Sequence, residues 1–276
     1  MRARAAMADR QPVLVFDSGL GGLSVLRAIQ ALLPERRYVY LADDAGFPYG
    51  ALEDNNLIDR VTALIGEAVT AYDPAAVVIA CNTASTLVLP PLRARFAVPF
   101  VGTVPAVKPA AVQTRTGVIA VLATPGTVKR DYTGELIAQF AGRCHVRLVG
   151  AAELAALAER HLTGEAVDMA ALAEQIAPCF VTLDGQRTDT VVLACTHYPL
   201  LIEAMTAAAP WPVTWLDPAL AIARQVARVL GDAWPAQLHQ KWENVAVFTG
   251  GGPAGPAIVR LLEEFGLKAG TAAQTV

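Results

Sequence analysis

Val191-Val192-Leu193-Ala194-Cys195-Thr196-His197-Tyr198-Pro199-Leu200-Leu201 is the stretch that decides how this chain is read. The small apolar run Val191 to Ala194 has the length and composition of a buried parallel strand. It stops on Cys195, and Thr196 and His197 are polar residues that do not continue such a strand. Tyr198-Pro199 then opens a helix, since proline is tolerated in a first helical turn. Open α/β sheets place their chemistry where a strand's carboxyl end gives way to a helix. The element has an echo. Val77-Val78-Ile79-Ala80-Cys81-Asn82-Thr83 is again an apolar run that ends on a cysteine and two polar residues.

The same alternation extends in both directions. Val13 to Phe16 is a short strand ending in Asp17-Ser18, followed by Gly19-Leu20-Gly21-Gly22 and a helix over Leu23 to Leu33. Tyr38 to Leu41 is a second strand that ends at Asp43-Asp44, and Ala45 to Gly50 is a loop by its glycines and proline. Helices are predicted over Asp54 to Ala71 and over Ala84 to Phe96, the latter ended or bent at Pro90-Pro91. Further strands are predicted at Ala76 to Ala80, Phe100-Val101, Val118 to Leu122, Val146 to Val149, Val213 to Leu216 and Val245 to Phe248. Helices follow from Pro105, over Thr127 to Phe140, and in the alanine-rich Ala151 to His161 and Val167 to Phe180. Gly231 to Lys241, with Trp234 and Pro235, is a loop, Pro256 to Phe265 is a helix, and the tail from Ala269 is loose. Strands alternating with helices mean parallel sheets. One open sheet of eight or nine strands satisfies the pattern, but the repeated strand-Cys element favours two similar sheets.

With 276 residues, 54% of them apolar and 17% charged, the chain has the material for one large core or two modest ones. No apolar run is long enough to span a bilayer. Met1 to Gln11 carries Arg2, Arg4 and Arg10 without an apolar core, so it reads as a disordered extension and not a secretory signal. A net charge of −3 and no basic stripe argue against nucleic acid as a partner. The four cysteines, Cys81, Cys144, Cys179 and Cys195, include no C-x-x-C pair and read as reduced thiols of a cytoplasmic protein.

Gly19-x-Gly21-x-x-Ser24 after a strand, with Asp43 or Asp44 further on, resembles a dinucleotide fingerprint. Ser24 stands where close helix packing wants Gly or Ala, and Asp17 would face a pyrophosphate, so that assignment is disfavoured. A helix N-terminus binds a smaller anion equally well. A carboxylate beside Ser18, with Asp17 left for a cation, suits a zwitterionic amino acid.

Buried cysteine is usually a small hydrophobe, which serves for Cys144 and Cys179. For Cys81 and Cys195 the matched surroundings speak for a shared task. Zinc would need more ligands, and His145, His161, His197 and His239 show no metal-ligand spacing with them. A single nucleophilic cysteine would leave one thiol idle. Two equivalent thiols suit a reaction that is itself symmetric: inversion of a stereocentre, one base removing a proton and a conjugate acid returning one to the opposite face. A free thiol ionises near pKa ~8.5, so neighbours must tune it, and Asp17 and His197 are the candidates.

Phe16-Asp17-Ser18-Gly19-Leu20-Gly21-Gly22-Leu23-Ser24, Pro48-Tyr49-Gly50, Ala80-Cys81-Asn82-Thr83-Ala84 and Cys195-Thr196-His197-Tyr198-Pro199-Leu200 together resemble the cofactor-independent aspartate/glutamate racemases, in particular glutamate racemase. The resemblance covers most of the chain. It implies an α/β fold of two doubly wound parallel-sheet domains facing each other across a cleft. The second domain (104–210, carrying Cys195) would be inserted into the first (1–103 plus 211–276, carrying Cys81). It implies Cys81 and Cys195 as the acid/base thiols, assisted by Asp17 and His197. It implies substrate contacts from Asp17, Ser18, Tyr49, Gly50, Asn82, Thr83, Thr124, Thr196 and His197, with Glu159 near the second thiol. His197 points to glutamate over aspartate, although a related acid remains the alternative substrate. Asp44 to Phe47, where many members carry an arginine, and Ala194, where glycine is usual, are departures.

No metal and no cofactor are expected. Pyridoxal phosphate needs a lysine, and none of Lys108, Lys129, Lys241 and Lys268 ends a strand beside such a motif. The implied role is supply of D-glutamate for peptidoglycan by a homodimer. Some relatives inhibit DNA gyrase, a non-enzymatic alternative on which this sequence is silent.

Overall fold

The computed structural model describes residues 11–231, 243–250 and 255–271. The expected loop around Trp234 and Pro235 and the expected disordered extension up to residue 10 lie outside the described residues. The first sheet begins with β1 (Val13–Asp17), every residue of which is buried. Val13 and Val15 face a core shared with α1 (Leu23–Leu32), whereas Leu14 and Phe16 face a second core shared with α2 (Asp54–Tyr72). A strand covered on both faces has no polar side, which explains the continuous apolar run in its sequence.

The chain goes on through β2 (Tyr38–Ala42), β3 (Ala76–Ile79), α3 (Asn82–Arg95) and β4 (Phe100–Gly102). It then crosses to α4 (Val107–Gln113), β5 (Val118–Ala123), the short α5 (Pro125–Val128), α6 (Asp131–Phe140) and β6 (His145–Gly150). Helices α7 (Leu154–Leu162) and α8 (Met169–Ile176) precede a small antiparallel hairpin, β7 (Thr182–Leu183) and β8 (Gln186–Arg187). Next come β9 (Thr190–Ala194), α9 (Ile202–Ala208) and β10 (Thr214–Leu216). The chain returns through α10 (Ala219–Leu230), which packs in the α1 core, to β11 (Asn244–Phe248), α11 (Pro256–Glu264) and β12 (Leu267–Thr271).

Two parallel sheets result, ordered β12-β11-β2-β1-β3-β4 and β10-β9-β5-β6. The segment β4-β3-β1-β2 of the first repeats the order β10-β9-β5-β6 of the second, so β3 corresponds to β9 and β1 to β5. The echo seen in the sequence is therefore a repeat of topology. The strands that end on Cys81 and Cys195 occupy equivalent places, next to the central strand of each sheet. The second sheet is also packed on both faces, by clusters around Leu154 and Leu172 on one side and Val107 and Ala110 on the other.

Five sequence expectations need correction. The return to the first sheet was placed at 211, but β10 pairs with β9, so residues up to Leu216 go with the second sheet. The helix expected to end or bend at Pro90-Pro91 runs on to Arg95, and it begins at Asn82, with Cys81 as its N-cap. Two missing amide donors there are outweighed by burial of Val88, Leu89 and Leu92. The single helix over Thr127 to Phe140 is two, separated at Lys129-Arg130. After Tyr198-Pro199 the chain makes a 3-10 turn through Leu201 before α9 begins. The tail expected to be loose from Ala269 pairs with β11 through Thr271, an edge strand whose register propensity alone does not reveal.

Candidate active site

Asp17, Cys81, Thr124 and Cys195 follow or end β1, β3, β5 and β9, all at strand carboxyl ends. The two sets of strand ends meet. Thr196 Oγ1 donates to Asp17 Oδ1 at 3.2 Å, and Ser24 Oγ lies 3.1 Å from the Thr196 carbonyl. Leu20 N donates to Glu159 Oε1 at 2.5 Å. Arg130 and Asp54 form an ion pair between the same two halves. The expected residues Asp17, Ser18, Asn82, Thr83, Thr196 and His197 are buried, as are both thiols.

Gly19-Leu20-Gly21-Gly22 owes its glycines to packing. A Cβ on Gly19 would run into the Glu159 carboxylate, and one on Gly21 would lie 2.5 Å from His197 Nδ1. A Cβ on Gly22 would meet Asp17 Cβ at 2.7 Å. Gly19 and Gly21 are bare where side chains of the second half press against the loop, and Gly22 where Asp17 does. Asp43, the acid a dinucleotide site would need for a ribose, is fully buried and bound by Arg60 through Nε and Nη2, both at 2.5 Å. Thr249 Oγ1 donates to Asp43 Oδ1 at 2.5 Å, and Tyr49 donates its hydroxyl to Oδ2. Burial raises the Asp43 pKa, but these hydrogen bonds outweigh it and hold the carboxyl below its usual range. Of the two candidate acids this leaves the dinucleotide alternative only Asp44, which accepts from Gly250 N at 2.8 Å.

Tyr49, expected as a substrate contact, belongs to this network by its side chain: its hydroxyl donates to Asp43 and its ring is buried beside Phe16, with centroids 6.4 Å apart. What the Pro48-Tyr49-Gly50 turn presents to the other half is Gly50, where a Cβ would sit 3.4 Å from Thr124 Cβ.

Around the second thiol, Cys195 Sγ lies 3.7 Å from His197 Nδ1, and His197 Nε2 lies 2.7 Å from Glu159 Oε1. The carboxylate at that distance makes Nε2 a donor, so the Gly21 amide 3.2 Å away is a close neighbour of the ring without a bond to it. Desolvation of the ring lowers its pKa, but hydrogen bonds to Cys195 and Glu159 outweigh it and raise His197 well above the ordinary histidine range. The imidazolium so favoured is a proton source beside Cys195 and a charge that stabilises a thiolate. Phe47 covers the ring, with centroids 5.4 Å apart.

Cys81 is set differently. Burial pushes its thiol up to about 12, and the Asp17 carboxylate adds to this, against hydrogen bonds from the Ala84 amide and the Ser18 side chain. Asp17 is itself pushed up to about 6, mainly by burial, with the His197 charge opposing. The two thiols are thus set in different surroundings, Cys81 held as a neutral acid and Cys195 beside His197. Glu159→Gln would remove the anion that keeps His197 charged. The expected result is a 10- to 100-fold loss of turnover, with the alkaline limb of the pH–rate profile moved to lower pH as the imidazolium gives up its proton more readily.

Hydroxyl and amide side chains line the same place. Thr83 Oγ1 is 2.9 Å from Thr124 Oγ1 across the halves, and Asn82 Oδ1 is buried without a hydrogen-bond partner among the described residues. Thr127, which the sequence reading passed over, lies within hydrogen-bond reach of both threonines. Its signal was the N-cap spacing: Thr124 caps α5 by accepting from the amide of Thr127. Arg60 and Thr249 carried no local signal. Among the described residues no group of three or more His, Cys, Asp or Glu is placed to hold a metal, all four cysteines are free, and no helix is long and apolar enough to cross a membrane.

Residues 20–226 match the Asp/Glu/Hydantoin racemase family. The chain is 56% identical over 267 residues to the glutamate racemase of Brucella canis, covering 96% of both chains. Among solved structures, the Escherichia coli glutamate racemase in complex with L-glutamate and the activator UDP-MurNAc-Ala superposes with a TM-score of 0.85 at 41% identity, over 95% of this chain and 97% of that one. The Thermus thermophilus glutamate racemase, in complex with β-chloro-D-alanine, gives a TM-score of 0.72 at 26% identity, over 96% and 99%. Family model, relatives and fold agree: the chain belongs to the Asp/Glu/Hydantoin racemase family, among its glutamate racemases.

Proposed function

We propose that the protein interconverts L- and D-glutamate by direct proton transfer at Cα, with Cys81 and Cys195 as the two acid/base groups. The observation that carries this is the pair of thiols on topologically equivalent strands, one held protonated and the other placed against His197. One thiolate takes the Cα proton and the opposite thiol gives up its own. The thiol and thiolate have then exchanged places, which readies the protein for the reverse reaction. The carbanion formed in between needs its carboxylate held by donors, and Thr83, Thr124 and the first turn of α3 offer them. Asp17 suits the substrate ammonium, because an ion pair offsets the burial that raises its pKa. Glutamate is favoured by the relatives' activity and by the His197–Glu159 pair. No cofactor enters this scheme, and the D-glutamate formed would go to cell-wall peptidoglycan.

The test is incubation of the purified protein with L-glutamate in D2O without added cofactor. Optical rotation is expected to fall to zero as deuterium enters Cα of both enantiomers. Retained rotation and an unlabelled Cα would overturn the scheme, and equal turnover of aspartate would overturn the choice of substrate.

A further inference from the structure

Thr127 sits behind the two threonines offered to the substrate. Its side chain is fully buried, on the first turn of α5, and its oxygen lies 3.2 Å from Thr83 Oγ1 and 3.1 Å from Thr124 Oγ1. With the 2.9 Å contact between Thr83 and Thr124, the three hydroxyls form a closed triangle. The triangle spans both halves, since Thr83 is on α3 of the first and the other two are on the second. It also has a fixed polarity at one corner, because Thr124 Oγ1 accepts from the Thr127 amide at 3.3 Å. That lone pair is occupied, so the Thr124 hydroxyl proton is what remains to be directed.

Three hydroxyls carry three protons. Without a ligand, each can donate to the next around the triangle and all are used up. An arriving carboxylate can claim two of them, one from Thr83 and one from Thr124, only if a third donor serves the oxygens left behind. Thr127 is that donor, and its backbone is anchored: its carbonyl accepts from Thr133 Oγ1 at 2.8 Å.

We propose that Thr127 is a positioning residue that acts through Thr83 and Thr124, turning both hydroxyls outward as a paired anchor for one substrate carboxylate. This rests on the assignment of a carboxylate-bearing amino acid to the site. Valine in its place keeps the shape but supplies no proton, so Thr83 and Thr124 satisfy one another and only one is left for the ligand. Loss of one charge-assisted hydrogen bond weakens binding about tenfold.

The experiment measures kcat and KM in both directions for the wild type, Thr127→Val and Thr127→Ser, with thermal melts of all three. The expected result is a KM raised about tenfold for both enantiomers in Thr127→Val, with kcat within about twofold, and wild-type values restored in Thr127→Ser. Wild-type KM in Thr127→Val, a loss confined to kcat, or failure of serine to rescue a folded protein would each overturn the proposal. If the valine variant does not fold, Thr127→Ala is measured under the same criteria. Absence of glutamate turnover in the wild type itself would count against the substrate assignment and not against the triangle. Calorimetric binding of the substrate that is turned over would then read the same tenfold difference.

Discussion

Replacing either Cys81 or Cys195 with alanine is expected to lower racemisation by a factor of about 10^3 or more, because one face of the substrate then lacks its proton donor or acceptor. The two losses are expected to be similar in size although the thiols differ in environment. Cys81 is held protonated by burial and by Asp17, and Cys195 faces His197. The sharper outcome lies in isotope exchange. A variant with one thiol can still remove a Cα proton and return a deuteron to the same face. In D2O, Cys81→Ala and Cys195→Ala should therefore each label one enantiomer without inverting it, and the two variants should label opposite enantiomers. Labelling of the same enantiomer by both, or full racemisation by either, would sink the two-thiol scheme. Both side chains are small and nearly buried, so a melt within a few degrees of wild type is the control for folding.

Asp17→Asn is expected to lose activity by about 10^2- to 10^3-fold and yet to be the more stable protein at alkaline pH. The folded carboxyl has a pKa of about 6, pushed up mainly by burial, against 3.8 for a free aspartate. The folded state therefore binds the Asp17 proton more tightly than the unfolded chain does. Its contribution to stability is full below about pH 4 and is lost as pH rises through about 6. Above that, keeping the buried charge costs on the order of 3 kcal/mol at about 1.36 kcal/mol per pKa unit. Asparagine never carries the charge and can keep the bond from Thr196 through its carbonyl oxygen. Thermal melts should coincide for the two proteins at pH 4 and separate by roughly 5–10 °C in favour of the variant by pH 8. A constant offset across that range would show that the proton linkage is wrong. Such a residue is unfavourable for the fold and retained for its charge, as happens where a site needs a group poised near neutrality.

Much of the molecule was legible in one dimension because its signals are local. Buried parallel strands read as short apolar runs, and β1, β3, β5 and β9 were placed within a residue or two. The residues at three of their carboxyl ends, Asp17, Cys81 and Cys195, followed from that placement, and Thr124 from the family resemblance. Composition and the cysteine pattern narrowed the chemistry, and the repeated strand-Cys element implied two equivalent halves. The weaker predictions were those whose outcome depends on distant partners. Pro90-Pro91 did not end α3, because the buried face of that helix outweighs two missing amide donors. β10 went to the second sheet because it finds an edge beside β9, and β12 extends the first beside β11. Neither edge exists until the sheets have formed.

The sequence by itself determined which residues stand at the carboxyl ends of buried strands, and that two equivalent strands lead into a cysteine. The tertiary structure alone decided how those groups are tuned and oriented. Asp43 draws Arg60, Tyr49 and Thr249 from separate elements and accepts hydrogen bonds from all three. Glu159 reaches His197 and the Leu20 amide across the boundary between the halves, and Thr127 closes a triangle with Thr83 and Thr124. Hydrogen bonds and pKa values depend on separations of a few ångströms between residues tens to hundreds of positions apart. Periodicity along a chain carries no information about such separations.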